Sequence, residues 1–326
     1  MTRFLLGLSL AFATTSTALA DDTVKVFILA GQSNMEGHGK VDAEQKANQG
    51  KGSLEWLVNN PGTAKQFKHL VDAKGKWIAR DDVQIWYLGR KGNLLPKYGF
   101  REGFIGPELG FGHVVGNAID EPVLLIKLAW GGKSLAKDFR PPSSGGEVGP
   151  YYKELLKLTR EVLGDAKTLF PQYTDRKLEL VGMGWHQGWN DRVNQAFNDA
   201  YETNMANFIR DVRKEFKAPD MAFVIGQMGN DGLKADKDGS PRDYIKKAQA
   251  AVPEASEFKS NAICVRTDRF WDMEAHAIYT GPGGWSKDVD KWRQFGNDRP
   301  YHYYGSPWFF AQAGTGFGEA MIKLLK

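Results

Sequence analysis

The chain has a single cysteine in 326 residues, so no internal disulfide can hold it together. Beyond its first twenty residues no segment approaches the run of about 18 apolar residues that a membrane-spanning helix needs. No block of five or six like charges occurs. Forty-three basic against 39 acidic residues leave a formal charge of only +4, so neither a nucleic-acid nor a membrane-surface partner is expected. There is no Gly-x-Ser-x-Gly elbow. The six histidines are scattered without His-x-x-x-His or His-Glu-x-x-His spacing, so no metal site is expected. At 42% hydrophobic and 25% charged residues the composition is that of an ordinary globular protein. Collagen-like, low-complexity, disulfide-framework and disordered classes are thereby excluded. The lone Cys264, within Ala262-Ile263-Cys264-Val265, reads as a small buried hydrophobe.

The first twenty residues read as a removable leader. Met1-Thr2-Arg3 is a short basic start, Phe4 to Ala13 is apolar, and Ala18-Leu19-Ala20 precedes Asp21 in a small-x-small cleavage pattern. A mature chain beginning at Asp21 is expected, exported to a periplasmic or extracellular location. It should carry no membrane anchor, because no cysteine near position 21 could take a lipid.

Residues 21–326 alternate strand and helix signals. Short apolar or β-branched runs recur at Val24 to Ala30, Val83 to Leu88, Val123 to Leu128, Leu178 to Met183, Met221 to Ile225 and Asn261 to Val265. Helical patterns cover Tyr151 to Leu163, Phe197 to Phe216, Tyr244 to Ala251 and Pro307 to Leu325. This order predicts a single three-layer α/β domain, with a mainly parallel sheet of five or six strands and helices on both faces. The long polar stretch 39–106, rich in Gly and Lys, reads as a loop-rich insertion with little apolar periodicity of its own.

In such a sheet the chemistry belongs at the carboxyl ends of the strands. The first strand runs into Gly31-Gln32-Ser33-Asn34-Met35, which places Ser33 at a strand-to-helix junction with its own N–H beside it. A serine there is equally suited to capping the helix. The strand ending at Leu128 leads to Ala129-Trp130-Gly131-Gly132-Lys133-Ser134, and the strand ending at Met183 leads to Gly184-Trp185-His186-Gln187-Gly188-Trp189-Asn190-Asp191. His302 lies in Arg299-Pro300-Tyr301-His302-Tyr303-Tyr304, where a structural histidine and a general base are both compatible with the pattern. Trp130, Trp185 and Trp189 could stack on a sugar or fill the core.

Taken together, these segments resemble SGNH-type esterases, specifically the carbohydrate esterases of the sialate O-acetylesterase family. The Gly-Gln-Ser-Asn-Met block, the Gly-Gly pair, His-Gln-Gly and a late histidine follow in the family's order. Ile105-Gly106-Pro107-Glu108-Leu109-Gly110 is similar to a further family segment. The resemblance implies an SGNH or flavodoxin-like fold and a serine esterase that needs no cofactor. Its substrate would be an acetylated carbohydrate, and the acetyl group would pass through the serine. It implies Ser33 as nucleophile, His302 as general base, and an oxyanion hole formed by Ser33, Gly132 and Gln187.

The acid of the triad is where the chain departs from the family. Trp189 stands where many relatives have Glu, and Arg299 where many have Asp. Asp191 is the expected partner of His302, because it follows a strand whose Gln187 is assigned to the site; Asp298 is the alternative. Two other functions stay compatible with the sequence: an SGNH hydrolase acting on another ester, lipase-like, and a carbohydrate-binding relative without catalysis. Oligomeric state leaves no mark in the sequence.

Overall fold

The computed structural model describes residues 22–43, 52–281, 292 and 296–326. The predicted leader at 1–20 lies outside the described residues. Nine strands are described: β1 (Thr23–Gly31), β2 (Gly39–Lys40), β3 (Arg80–Tyr87), β4 (Arg90–Leu94), β5 (Phe104–Ile105), β6 (Val123–Ala129), β7 (Lys177–His186), β8 (Ala222–Gln227) and β9 (Ala262–Arg266). The described α-helices are α1 (Ser33–Glu36), α2 (Leu54–Asn59), α3 (Ala64–Phe67), α4 (Glu108–Ala118), α5 (Pro150–Gly164), α6 (Ala166–Leu169), α7 (Gln195–Glu215), α8 (Pro241–Ala251), α9 (Met273–Thr280) and α10 (Pro307–Leu325). None of the described helices is long and apolar enough to cross a membrane.

Seven strands form one sheet in the order β4-β3-β6-β1-β7-β8-β9. All neighbours are parallel except β4, which returns antiparallel on β3. β4 is the strand beyond the expected five or six. Its Arg90-Lys91-Gly92-Asn93-Leu94 has neither alternation nor β-branched residues, and it lies at the sheet edge, where pairing with β3 suffices. The stretch 39–106 thus supplies β3 and β4 to the main sheet, together with the short pair β2 and β5 and helices α2 and α3.

Alternating side chains of the buried strands build two cores. On one face Val24, Val26, Ile28 and Ala30 of β1 join Leu124, Ile126 and Leu128 of β6 beneath α5, α7 and α8. On the other, Phe27 and Leu29 meet α4 and α10 through Phe111, Phe309, Phe317 and Met321. This is the period-2 consequence of a strand buried on both sides. α4 and α10 pack so closely that a Cβ at Gly110 would lie 2.1 Å from the Ala311 carbonyl oxygen. Cys264 is only half-buried on β9, and burial pushes its thiol up to about 12.

β1 lies between β6 and β7, and the chain winds outward from it in both directions. That is the topological switch point of a doubly wound sheet, where loops from adjacent strands diverge and leave a crevice. The carboxyl ends of β1, β6 and β7 deliver Ser33, Gly131-Gly132 and Trp189-Asn190 to it.

Candidate active site

A pocket of about 350 Å³ opens there, lined by Gln32, Ser33, Glu36, His38, Gly131, Gly132, Trp189, Asn190, Tyr301 and His302. Ser33 is the first residue of α1, its side chain is buried, and Gln32 caps the helix without a side-chain bond. Ser33 therefore performs no capping. The Ser33 N–H belongs to the first turn, which has no intrahelical acceptor. Gly132 adopts φ +72°, a conformation that favours glycine whatever the space around it. Among the described residues no protein acceptor takes the N–H of either Ser33 or Gly132. Both donors are free for a ligand.

His302 arrives from the opposite side, on the short 3₁₀ segment Pro300–Gly305 that precedes α10. Tyr303 and Tyr304, directly after it, hold left-handed φ values of 50° and 60°, which are strained for bulky residues. Their rings over-determine that geometry. Tyr303 stacks on Phe309 at 3.5 Å and its hydroxyl accepts the Gly229 N–H at 3.1 Å. The Tyr304 hydroxyl pairs with His276 Nδ1 at 2.7 Å. Three asparagine side chains fix the same loop: Asn34 to the Tyr301 carbonyl, Asn230 to the Pro300 carbonyl, and Asn297 to the Gly52 carbonyl.

The acid expected to serve His302 is corrected here. Asp191 is fully buried, and its carboxylate accepts the Leu135 N–H and Ala136 N–H, each at 2.8 Å, and the Gln187 amide at 2.5 Å. Burial pushes its carboxyl up to about 6 against those three donors. Asp191 straps the loop after β6 to the end of β7. The partner of His302 is Asp298, whose Oδ2 lies 2.9 Å from His302 Nδ1. Burial alone would raise the Asp298 carboxyl, but hydrogen bonds from His302 and His38 overcome it and hold it well below the usual carboxylate range. With Nδ1 engaged, Nε2 is the nitrogen of His302 left to take a serine proton.

The oxyanion-hole assignment is corrected at one position. Gln187 has two amide hydrogens, and they go to the Lys133 carbonyl and to Asp191. None is left for substrate. Asn190 stands in the pocket instead: its Nδ2 donates to the Gly132 carbonyl at 2.9 Å and its Oδ1 accepts from Gln32 Nε2 at 2.9 Å. Its second amide hydrogen is uncommitted. Gln32 also accepts the Gly188 and Asn190 N–H groups, so the residue before Ser33 sets the loop that carries Asn190. Asn190 was visible in the sequence only as one polar residue among several after β7.

Of the three tryptophans, Trp185 is fully buried core, Trp130 packs beside Phe139 and Tyr151, and only Trp189 lines the pocket, with the Arg192 guanidinium 3.7 Å from its ring centroid. Glu36 accepts the Gly131 N–H; burial raises its carboxyl, against that bond and the Lys127 ammonium. Lys127 and Glu108, both inaccessible, form a 2.6 Å pair beneath the site. Lys127 also donates to the Glu36 and Tyr98 carbonyls, which fixes the far end of α1. Removing one partner of such a pair typically costs about 3–5 kcal/mol. Among the described residues one group has metal-compatible spacing, with ligand atoms of His38, Asp298 and His302 within 4.8 Å of one another. A larger cavity of about 480 Å³, between Trp56, Trp271 and Trp308, contains no serine or cysteine.

The chain folds like a protein from Arabidopsis thaliana of known structure, with a TM-score of 0.54 at 16% identity over 92% of this chain and 98% of that one. It is similarly related to NanS, with a TM-score of 0.54 at 15% identity over 94% and 99% of the two chains. At such identities the likeness shows the fold, a three-layer α/β architecture of the SGNH kind. No curated protein matches the sequence. The family model described as carbohydrate esterase, sialic acid-specific acetylesterase, matches residues 23–278. The chain therefore belongs to the carbohydrate esterase family of sialic acid-specific acetylesterases.

Proposed function

We propose that this protein is an exported serine esterase that removes O-acetyl groups from a carbohydrate through an acetyl-enzyme. The observation that carries the reading is the 2.9 Å contact of His302 Nδ1 with Asp298, in the pocket that also holds Ser33. Ser33 Oγ attacks the acetyl carbonyl as His302 Nε2 takes its proton. The oxyanion is met by the Ser33 and Gly132 N–H groups and by the Asn190 amide. Collapse breaks the bond to the sugar oxygen, which leaves with the proton from His302. Water, deprotonated by His302, then attacks acetyl-Ser33 and releases acetate. Asp298 fixes the tautomer throughout and stabilises the imidazolium.

The family's sialate specificity is one candidate for the sugar. The pocket lining supports a second: among the described residues it includes the Glu36 carboxyl and neither lysine nor arginine, a lining suited to a sugar without a carboxylate. A neutral acetylated sugar fits that lining. Acetate release from acetylated sialic acids, acetylated xylan and a chromogenic acetyl ester tests the function. Ser33→Ala should abolish release while the fold survives, and a serine-directed phosphonate should label Ser33. Normal turnover by the alanine variant would end the serine mechanism.

A further inference from the structure

One buried histidine beside the proposed triad has no part in the reaction described. His38 follows α1, and its Nδ1 lies 3.0 Å from Asp298 Oδ2, the same oxygen that His302 Nδ1 meets at 2.9 Å. The two imidazoles stack with centroids 3.9 Å apart and planes 15° apart. The opposite face of His38 stacks on Phe100 at 4.4 Å and 11°. We infer that His38 is a positioning residue that shares Asp298 with His302 and thereby fixes both the carboxylate and the catalytic imidazole in place. This rests on the serine-esterase reading above.

An ionised carboxylate oxygen only accepts, so both contacts require an Nδ1–H donor, and both rings are fixed in that tautomer. The Nε2 of His38 is buried without a partner, so a second proton there would be an unsatisfied donor. Burial first, then His302 and the Lys127 ammonium, hold His38 below its usual range, against the Asp298 carboxylate. The charged and titratable groups around the stack are Asp298 on the same loop, Glu36 on α1, Lys127 on β6, the neighbouring ring of Tyr301, and Arg101 behind Phe100. His38 thus keeps a single ring proton, on Nδ1, aimed at Asp298. Two N–H donors on one oxygen hold that carboxylate from both sides, and the Phe100–His38–His302 stack holds the plane of the His302 ring.

The test is kcat and KM on a chromogenic acetyl ester. His38→Phe keeps an aromatic ring between Phe100 and His302 and deletes the donor; kcat should fall by about tenfold or more with KM little changed. His38→Asn returns a donor near the Nδ1 position and should restore most of kcat. Long-range ¹H–¹⁵N spectra of the wild-type rings should show protonated Nδ1 on both histidines. That wild-type readout needs neither turnover nor a variant. A protein that hydrolyses no acetyl ester would therefore overturn the esterase reading alone. An unchanged kcat in His38→Phe, or an unprotonated Nδ1 on His38, would overturn the sharing.

Discussion

Asn34, the neighbour of Ser33, donates its side-chain amide to the carbonyl of Tyr301, the neighbour of His302, at 3.0 Å. One hydrogen bond thereby couples the loop after the first strand to the loop before the last helix. The two halves of the site are held in register by the residues beside them, which leaves the reactive side chains uncommitted.

The two candidate acids separate cleanly by experiment. Asp298→Asn removes the carboxylate that meets His302 Nδ1, and kcat should fall by about 10³–10⁴. Asp191→Asn should instead lower the melting temperature, because its three donors anchor the Gly132 loop to β7. Thermal melts and steady-state kinetics on both variants check this. The reverse pattern would return Asp191 to the triad.

Asn190→Ala should lower kcat by about 10²–10³ with a smaller effect on KM, as loss of an oxyanion donor does. Gln187→Ala should act mainly on stability, since its amide bonds only to protein. Comparing kcat, KM and melting temperature for the pair distinguishes the two roles.

Burial pushes His186 down to about 3 and His113 down to about 4. An unfolded histidine takes up its proton near pH 6.5. Below that pH the unfolded chain binds more protons than the folded one, so stability is fully present above about pH 6.5 and falls as pH drops toward about 4. Melting temperature should decline over that window in wild type, and less steeply in His113→Leu.

Much of this was legible in the sequence, for definable reasons. β1, β6 and β7 are buried on both faces, so their near-continuous apolar runs announced them. Ser33 and Gly132 are placed by backbone at strand ends, and position along the chain is enough to find such residues. Asp191 and Gln187 were misassigned because nearness to the end of β7 says where a side chain starts and not which way it turns. Both turn inward to the loop after β6, while Asn190, one position from Asp191 and three from Gln187, turns to the pocket. Asp298 gave no periodic signal; it reaches His302 across the four-residue span that opens the short 3₁₀ segment. α4 was missed because Gly110, Gly112 and Gly116 lower helix propensity, although Gly110 is also where α10 comes closest.

The asparagine tethers on the His302 loop also set when the site can exist. They bridge sequence separations of 267, 70 and 245 residues. Ser33 and His302 lie 269 residues apart, so a growing chain carries the first long before the second. Contacts of such high sequence separation close late in folding. The pocket is therefore complete only once the segment before α10 has docked on the loops after β1 and β8.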